Sequence, residues 1–200
     1  MTNTPKGSSA ASLGDFLDID FLHEIGKTAS SAPLSKTLGR IAVFVSKLMK
    51  CDSCFVYMLN GFDLVLRASK NPHADVLDRL VIRMGQGITG WVAEHKETVA
   101  IPRKAYQDPR FKSFNELPED RFEAFLSVPL LCRNKLVGVI NLQHRHPHLH
   151  SRRDIQLIST LGFLVAAEIE ISRLEAENWR LSRDLKARDK IATVKDSDVL

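Results

Sequence analysis

The run Gly85-Gln86-Gly87-Ile88-Thr89-Gly90-Trp91-Val92-Ala93 constrains this chain more than any other. An apolar strand, Leu80 to Met84, leads into two glycines separated by one residue, and a short helix with an apolar side follows. Glycines at such a junction reach positive φ or let another backbone or a ligand come close. About ten residues on, Thr98 to Pro102 reads as a short strand and Gln107-Asp108-Pro109-Arg110-Phe111 as a turn. A strand, a glycine turn, a helix and a second strand in so few residues point to a mixed α and β domain.

The remaining chain supplies the other layers. Asp15 to Ala29 sets Leu17, Phe21, Leu22 and Ile25 on one helical face. After Ser31 and Pro33, Leu34, Leu38, Ile41, Val45 and Leu48 repeat at spacings of four and three. Cys54 to Leu59 is a buried-strand run. Asn60-Gly61 predicts a hairpin with φ > 0 at both positions, and Asp63 to Ser69 returns as the partner. Lys70 to Asp78 is a polar loop. Arg103 to Arg121, with Pro109 and Pro118, is a long irregular segment of the kind that forms functional lids. Phe122 to Leu131 and Lys135 to His144 form an antiparallel pair, in which Pro129 belongs at an edge or bulge. From Arg153 a helix runs to the last residues, with no proline or glycine after Gly162.

The glycine run, the pair Ser127 to Leu142 and the helix Ile155 to Ile171 together resemble the signature of GAF domains, small ligand-sensing modules of signalling proteins. The resemblance covers roughly Leu34 to Leu174. It implies an α+β fold: about six antiparallel strands, terminal helices on one face and ligand-pocket segments on the other. The expected division is a disordered lead-in at 1–14, a GAF-type sensor domain at 15–170 and a signalling helix or coiled coil at 171–200. The expected pocket lies between the sheet and the segment Gly85 to Phe111. Gly87 and Ile88 would offer backbone N–H groups at a helix N-terminus, and Phe55, Tyr57, Trp91, Phe125 and Asn141 would surround the ligand. Packing in the core is the plainer reading of each aromatic.

Departures from the family's specialised patterns narrow the ligand. Asn141 and Asp154 stand where nucleotide-binding GAF domains carry polar residues, but Leu142 and Leu149 replace the lysine and phenylalanine of that pattern. The cysteine motif of bilin-binding relatives is absent. GAF-fold methionine sulfoxide reductases use cysteines in mid-domain, whereas no cysteine lies between Cys54 and Cys132. No enzymatic activity, catalytic residue or cofactor is therefore assigned. Three cysteines suggest no disulfide framework, and Cys51-Asp52-Ser53-Cys54 reads as buried thiols rather than a redox pair or half a zinc site. His144, His146, His148 and His150 alternate, but Pro147 interrupts any strand and no carboxylate falls among them. They read as polar residues leading into the last helix, with no metal ligand assigned.

At 44% hydrophobic, 200 residues suit one domain with extensions. No apolar run approaches the ~20 residues of a membrane span, and the first residues carry no signal-peptide core, so a cytoplasmic protein without a membrane partner is expected. The net charge is +4, and nucleic-acid binding within these residues is not expected from so dispersed an excess. The partners expected instead are a small molecule, an output signalling domain and a second copy of the chain. Ile171, Leu174, Asn178, Leu181 and Leu185 fall at a, d, a, d and a of a heptad, with Arg188 ending the seam. Leu185 to Lys195 faintly resembles the start of an ANTAR module, so an RNA-binding antitermination regulator is one alternative function. A ligand-free dimerisation module is another.

Overall fold

The computed structural model describes residues 33–70, 76–112 and 122–197, with side chains described through Lys186. The helix expected over Asp15 to Ala29, the lead-in before it, and the residues 71–75, 113–121 and 198–200 lie outside the described residues.

Helix α1 (Leu34–Leu48) buries Leu38, Ile41, Ala42 and Val45, the stripe its spacing predicts. Strands β1 (Ser53–Asn60) and β2 (Asp63–Ser69) form the hairpin, but the turn sits one residue later than expected. Asn60 pairs with Asp63, so the loop is Gly61-Phe62. Gly61 takes φ 64° and Phe62 is not among the positive-φ residues, as a type II′ turn with glycine first requires.

Strand β3 (Val81–Arg83) precedes helix α2 (Gly87–His95), and β4 (Val99–Ile101) follows it. A single 3₁₀ turn (Ala105–Gln107) opens the irregular segment. Strands β5 (Ala124–Cys132) and β6 (Lys135–His144) close the sheet through Arg133 and Asn134, at φ 49° and 62°, a pair of left-handed residues that a type I′ turn needs. Pro129 pairs with Val139 beyond Ser127, the last residue of β5 that β4 reaches. Its missing N–H therefore costs no ladder bond on that side, and the bulge falls one step on, between Leu130 and Leu131.

All six strands are antiparallel, in the order β3-β2-β1-β6-β5-β4. Side-chain alternation divides the protein into two packed layers. On one face, Cys54, Val56, Leu126, Val128, Leu130, Ile140 and Leu142 meet α1 and helix α3 (Arg152–Ser197). On the other, Phe55, Tyr57, Leu64, Leu66, Phe125 and Val139 meet α2 and its flanking segments. Ser151 starts α3 with a reciprocal cap. Its Oγ accepts from the Asp154 N–H at 3.1 Å, and its own N–H donates to Asp154 Oδ2 at 2.7 Å.

Over Arg152–Lys186, α3 is long and apolar enough to cross a membrane by length and composition alone, a test that the core helix of a soluble protein also passes. Ile158, Leu161, Val165, Ala166 and Ile169 of that stretch are buried against the sheet and α1. From Ile171 onward the helix leaves the core, with Ile171 at 52% exposure and Leu174, Leu181 and Leu185 similarly open.

Candidate functional site

The seven residues expected to form a pocket all fall on the α2 side of the sheet or on α2 itself. Phe55, Tyr57, Ile88 and Phe125 share one buried cluster, against which Trp91 packs half-buried. Phe55 and Tyr57 meet edge to face, ring centroids 6.3 Å apart. Gly87 opens α2, and Asn141 lies under the helix.

Backbone geometry explains why α2 begins where it does. The Gln86 N–H donates to Arg83 O at 2.9 Å, closing a turn whose third residue, Gly85, has φ 80°. A type II turn needs such a residue there. Gly87 is left-handed too, at φ 68°, and a Cβ on it would sit 3.4 Å from Lys112 Cβ and 3.8 Å from Arg110 O. The segment 110–112 thus lies over the first residue of α2. Gln86, at the N-cap, makes no side-chain cap, so the first-turn N–H groups lack the usual side-chain acceptor.

Gly90 is the glycine that docks the helix. A Cβ there would approach Arg83 O to 2.4 Å, and the Gly85 N–H donates to Gly90 O at 2.8 Å. Sequence reasoning weighted Gly87 and passed over Gly90; the third glycine of the run was the available signal. It also missed the partners of Asn141. Ser127 Oγ donates to Asn141 Oδ1 at 2.7 Å, and Asn141 Nδ2 donates to Thr89 Oγ1 at 2.8 Å. Strand β5, strand β6 and α2 are therefore tied through one buried polar chain. One acceptor and one donor site of Asn141 are thus used within the protein, and Asp154, the other residue matching the nucleotide-binding pattern, is the reciprocal capping partner of Ser151 at the start of α3.

Asp108 and Arg110 form the outer wall. Asp108 Oδ1 accepts from Arg110 Nε and Oδ2 from Arg110 Nη2, both at 2.9 Å, while Oδ1 also accepts from the Arg110 N–H. The Arg110 side chain donating to it holds the Asp108 carboxyl below its usual range. The guanidinium lies 4.7 Å over the Trp91 ring, whose other partner is His95, stacked at 4.1 Å. Three side chains from α2 and the irregular segment thus form one stack at the edge of the helix.

The cysteines occupy the opposite layer. Cys51 and Cys54 are buried in the α1 and α3 core, and Cys132 packs against it. Burial pushes the Cys51 thiol up to about 11 and Cys54 well above its ordinary value. The histidines depart from the sequence expectation, which gave them no ordered frame. The His148 N–H donates to Pro102 O at 2.9 Å, and the returning chain brings three of the four rings together. His144 and His150 are both pushed down to about 4, first by burial and then by neighbouring imidazoles. His146 stays exposed outside the group.

The family model for the GAF domain matches residues 33–169. The phosphoenolpyruvate-dependent phosphotransferase system protein of Escherichia coli is 28% identical over 161 residues, covering 78% of this chain and 21% of that protein. The nitrogen fixation protein AnfA of Azotobacter vinelandii is 27% identical over 158 residues, 73% of this chain and 27% of its own. The chain thus spans about a fifth to a quarter of these relatives' length. Among solved structures, the GAF domain of a phosphoenolpyruvate-protein phosphotransferase from Coxiella burnetii superposes with TM-score 0.74 at 24% identity, over 83% of this chain and 99% of that one. A free methionine-R-sulfoxide reductase from Neisseria meningitidis superposes with TM-score 0.66 at 18% identity, over 84% and 96%, a likeness of fold.

Proposed function

The chain belongs to the GAF domain family, and we propose that it is a ligand-responsive regulatory module whose α3 carries the signal to an output domain and a second subunit. GAF domains are regulatory sensor modules joined to output domains. One observation carries the reading for this chain: α3 is continuous, packed on the sheet as far as Ile169 and projecting with exposed apolar residues beyond it. A rigid element held at one end by the sensor and bare at the other is suited to transmission, because a shift in its packing is felt along its length. A small molecule favouring one arrangement of α2, the Arg110 segment and α3 would move the equilibrium by its differential affinity.

The ligand would sit by the N-terminus of α2, where Gly87 and Ile88 carry N–H groups with no side-chain cap and Trp91, Phe55, Tyr57 and Phe125 supply aromatic walls. Such a terminus favours an anionic or carbonyl group. Catalysis is not part of the proposal. The chain's three thiols belong to the far layer of the sheet, and the two buried ones are held protonated by burial.

Gly87→Val is a poor probe of the pocket, since φ 68° would strain a β-branched residue. Arg110→Ala and Trp91→Ala remove the outer wall instead. Nucleotides, small carboxylates and amino acids screened by thermal shift should yield a ligand whose stabilisation falls in both variants. A ligand that stabilises them as well as the parent places its site elsewhere. Sedimentation tests the dimer: Leu174→Lys with Leu181→Lys should give monomers, and a parent chain already monomeric at tens of micromolar, roughly where short coiled coils pair, refutes it.

A further inference from the structure

The connection between β6 and α3 holds a cluster that the sensor reading does not use. His144 closes β6, and the chain doubles back so that His148 and His150 meet it. The rings of His144 and His148 are stacked with centroids 3.9 Å apart, and His150 stands edge-on to both at 5.1 and 4.8 Å. One potential ligand atom from each ring lies within 4.8 Å of the others. His144 is 5% exposed and His150 6%, while His148 is half-buried at the rim.

Hydrogen bonding leaves this cluster incomplete. A neutral imidazole has one donor and one acceptor nitrogen. Here His144 Nε2 and His150 Nε2 face each other at 3.2 Å, and His150 Nδ1 is buried without a hydrogen-bond partner among the described residues. Three packed imidazoles sharing one nitrogen–nitrogen contact are an unfavourable burial. A cation that accepts several nitrogen lone pairs at once removes the deficit. Two nitrogens bound to one tetrahedral ion at 2.0–2.1 Å lie about 3.3 Å apart, close to the separation already present between His144 and His150.

We propose that His144, His148 and His150 form a binding site for a divalent transition-metal ion of the imidazole-preferring class, zinc foremost, at the joint between β6 and α3. Three nitrogens leave a fourth position of a tetrahedral ion for water or a small anion. His148 must rotate from its stack on His144 to complete the set, and its place at the half-exposed rim allows that. The backbone is already held on both sides. The Arg145 N–H donates to Asp52 Oδ2 at 2.8 Å, and the His148 N–H to Pro102 O. Since His150 immediately precedes Ser151, the N-cap of α3, an ion here would fix the start of the transmitting helix to the end of the sheet.

The test uses the untagged full chain, stripped with chelator and then titrated with Zn²⁺. Gel filtration followed by elemental analysis should find about one zinc per chain, and zinc should raise the thermal midpoint. Co²⁺ in its place should give the strong visible absorption of a four-coordinate ion. His148→Ala, at the rim and least able to harm folding, should weaken zinc binding at least about tenfold. His146→Ala, outside the cluster, should leave it unchanged. The assignment is overturned if the stripped chain takes up no stoichiometric zinc at micromolar excess. It is equally overturned if His148→Ala binds as the parent does, or if His146→Ala is the variant that loses the ion. Circular dichroism of each variant confirms that the fold is kept.

Discussion

The two faces of the sheet are built on different terms. The α1 and α3 face is an apolar layer of aliphatic side chains with all three cysteines in it or against it. The α2 face mixes aromatics with a buried Ser127–Asn141–Thr89 chain, and its connections hold Gly85, Gly87, Lys96 and Lys104 at positive φ. Apolar contacts are non-directional and tolerant of small shifts, whereas hydrogen bonds and left-handed residues fix a geometry. The first face holds the domain together. The second fixes the placement of α2 and the Arg110 segment.

That contrast can be broken by substitution. Ile158→Ala, at a fully buried position of α3, should cost about 2–5 kcal/mol in chemical denaturation and leave the environment of Trp91 unchanged. Asn141→Ala should cost about 1–3 kcal/mol, because the hydroxyls of Ser127 and Thr89 lose their shared partner. Adding Ser127→Ala and Thr89→Val to it should recover part of that loss, and a triple variant no more stable than Asn141→Ala would show the network to be incidental.

Smaller effects sharpen the same contrast. Iodoacetamide on the native chain should label Cys132 and spare Cys51 and Cys54, at 3% and 0% exposure, until denaturant is added. Equal labelling of all three would mean that the apolar face opens readily. Gly39→Ala on α1, where a Cβ would meet nothing within 4 Å, should stabilise by about 0.5–1 kcal/mol.

The smallest effect concerns the outer wall. The pKa of Asp108 is lowered in the folded chain, so its pairing with Arg110 contributes stability above the ordinary carboxylate value of 3.8, and that contribution is lost as pH falls through the folded value. With Trp179→Phe removing the second tryptophan and His95→Gln the ionisable ring stacked on Trp91, Trp91 fluorescence should change as pH falls below the ordinary carboxylate value of 3.8. Asp108→Asn should remove the acid transition at a cost under about 1 kcal/mol. An acid transition that survives Asp108→Asn would assign it to another group.

The apolar face was the more legible in sequence. The four- and three-residue spacing of Leu34, Leu38, Ile41, Val45 and Leu48 states which side of α1 is buried, and the continuous apolar run Cys54 to Leu59 marks a buried strand without dividing its side chains between the two faces. The Gly61-Phe62 loop came out one residue away from the expected Asn60-Gly61, because the closing pair is set by cross-strand register and not by the turn residues alone. On the α2 face, Phe55, Tyr57 and Phe125 share one buried cluster with Trp91 packed against it. Asn141 was expected around the ligand, and the sequence carries no sign of its bonds to residues 14 and 52 positions away. Contacts between distant segments leave no periodic trace. The docking of Gly90 on Arg83 and the meeting of three histidines across Pro147 are local, but they are made by turns, which periodicity does not report either.

The unbroken helix has a mechanical consequence. Beyond Ile169, α3 continues for 28 residues to Ser197, about 42 Å at the usual helical rise. A tilt of a single degree where Ile158 and Val165 grip the sheet would carry the far end through about 0.7 Å at that length. A rotation about the axis would instead re-aim Leu174, Leu181 and Leu185 together, since a helix transmits torsion without slack between its hydrogen-bonded turns. Sub-ångström repacking around the sheet would therefore reach the distal stripe as a displacement of comparable or greater size.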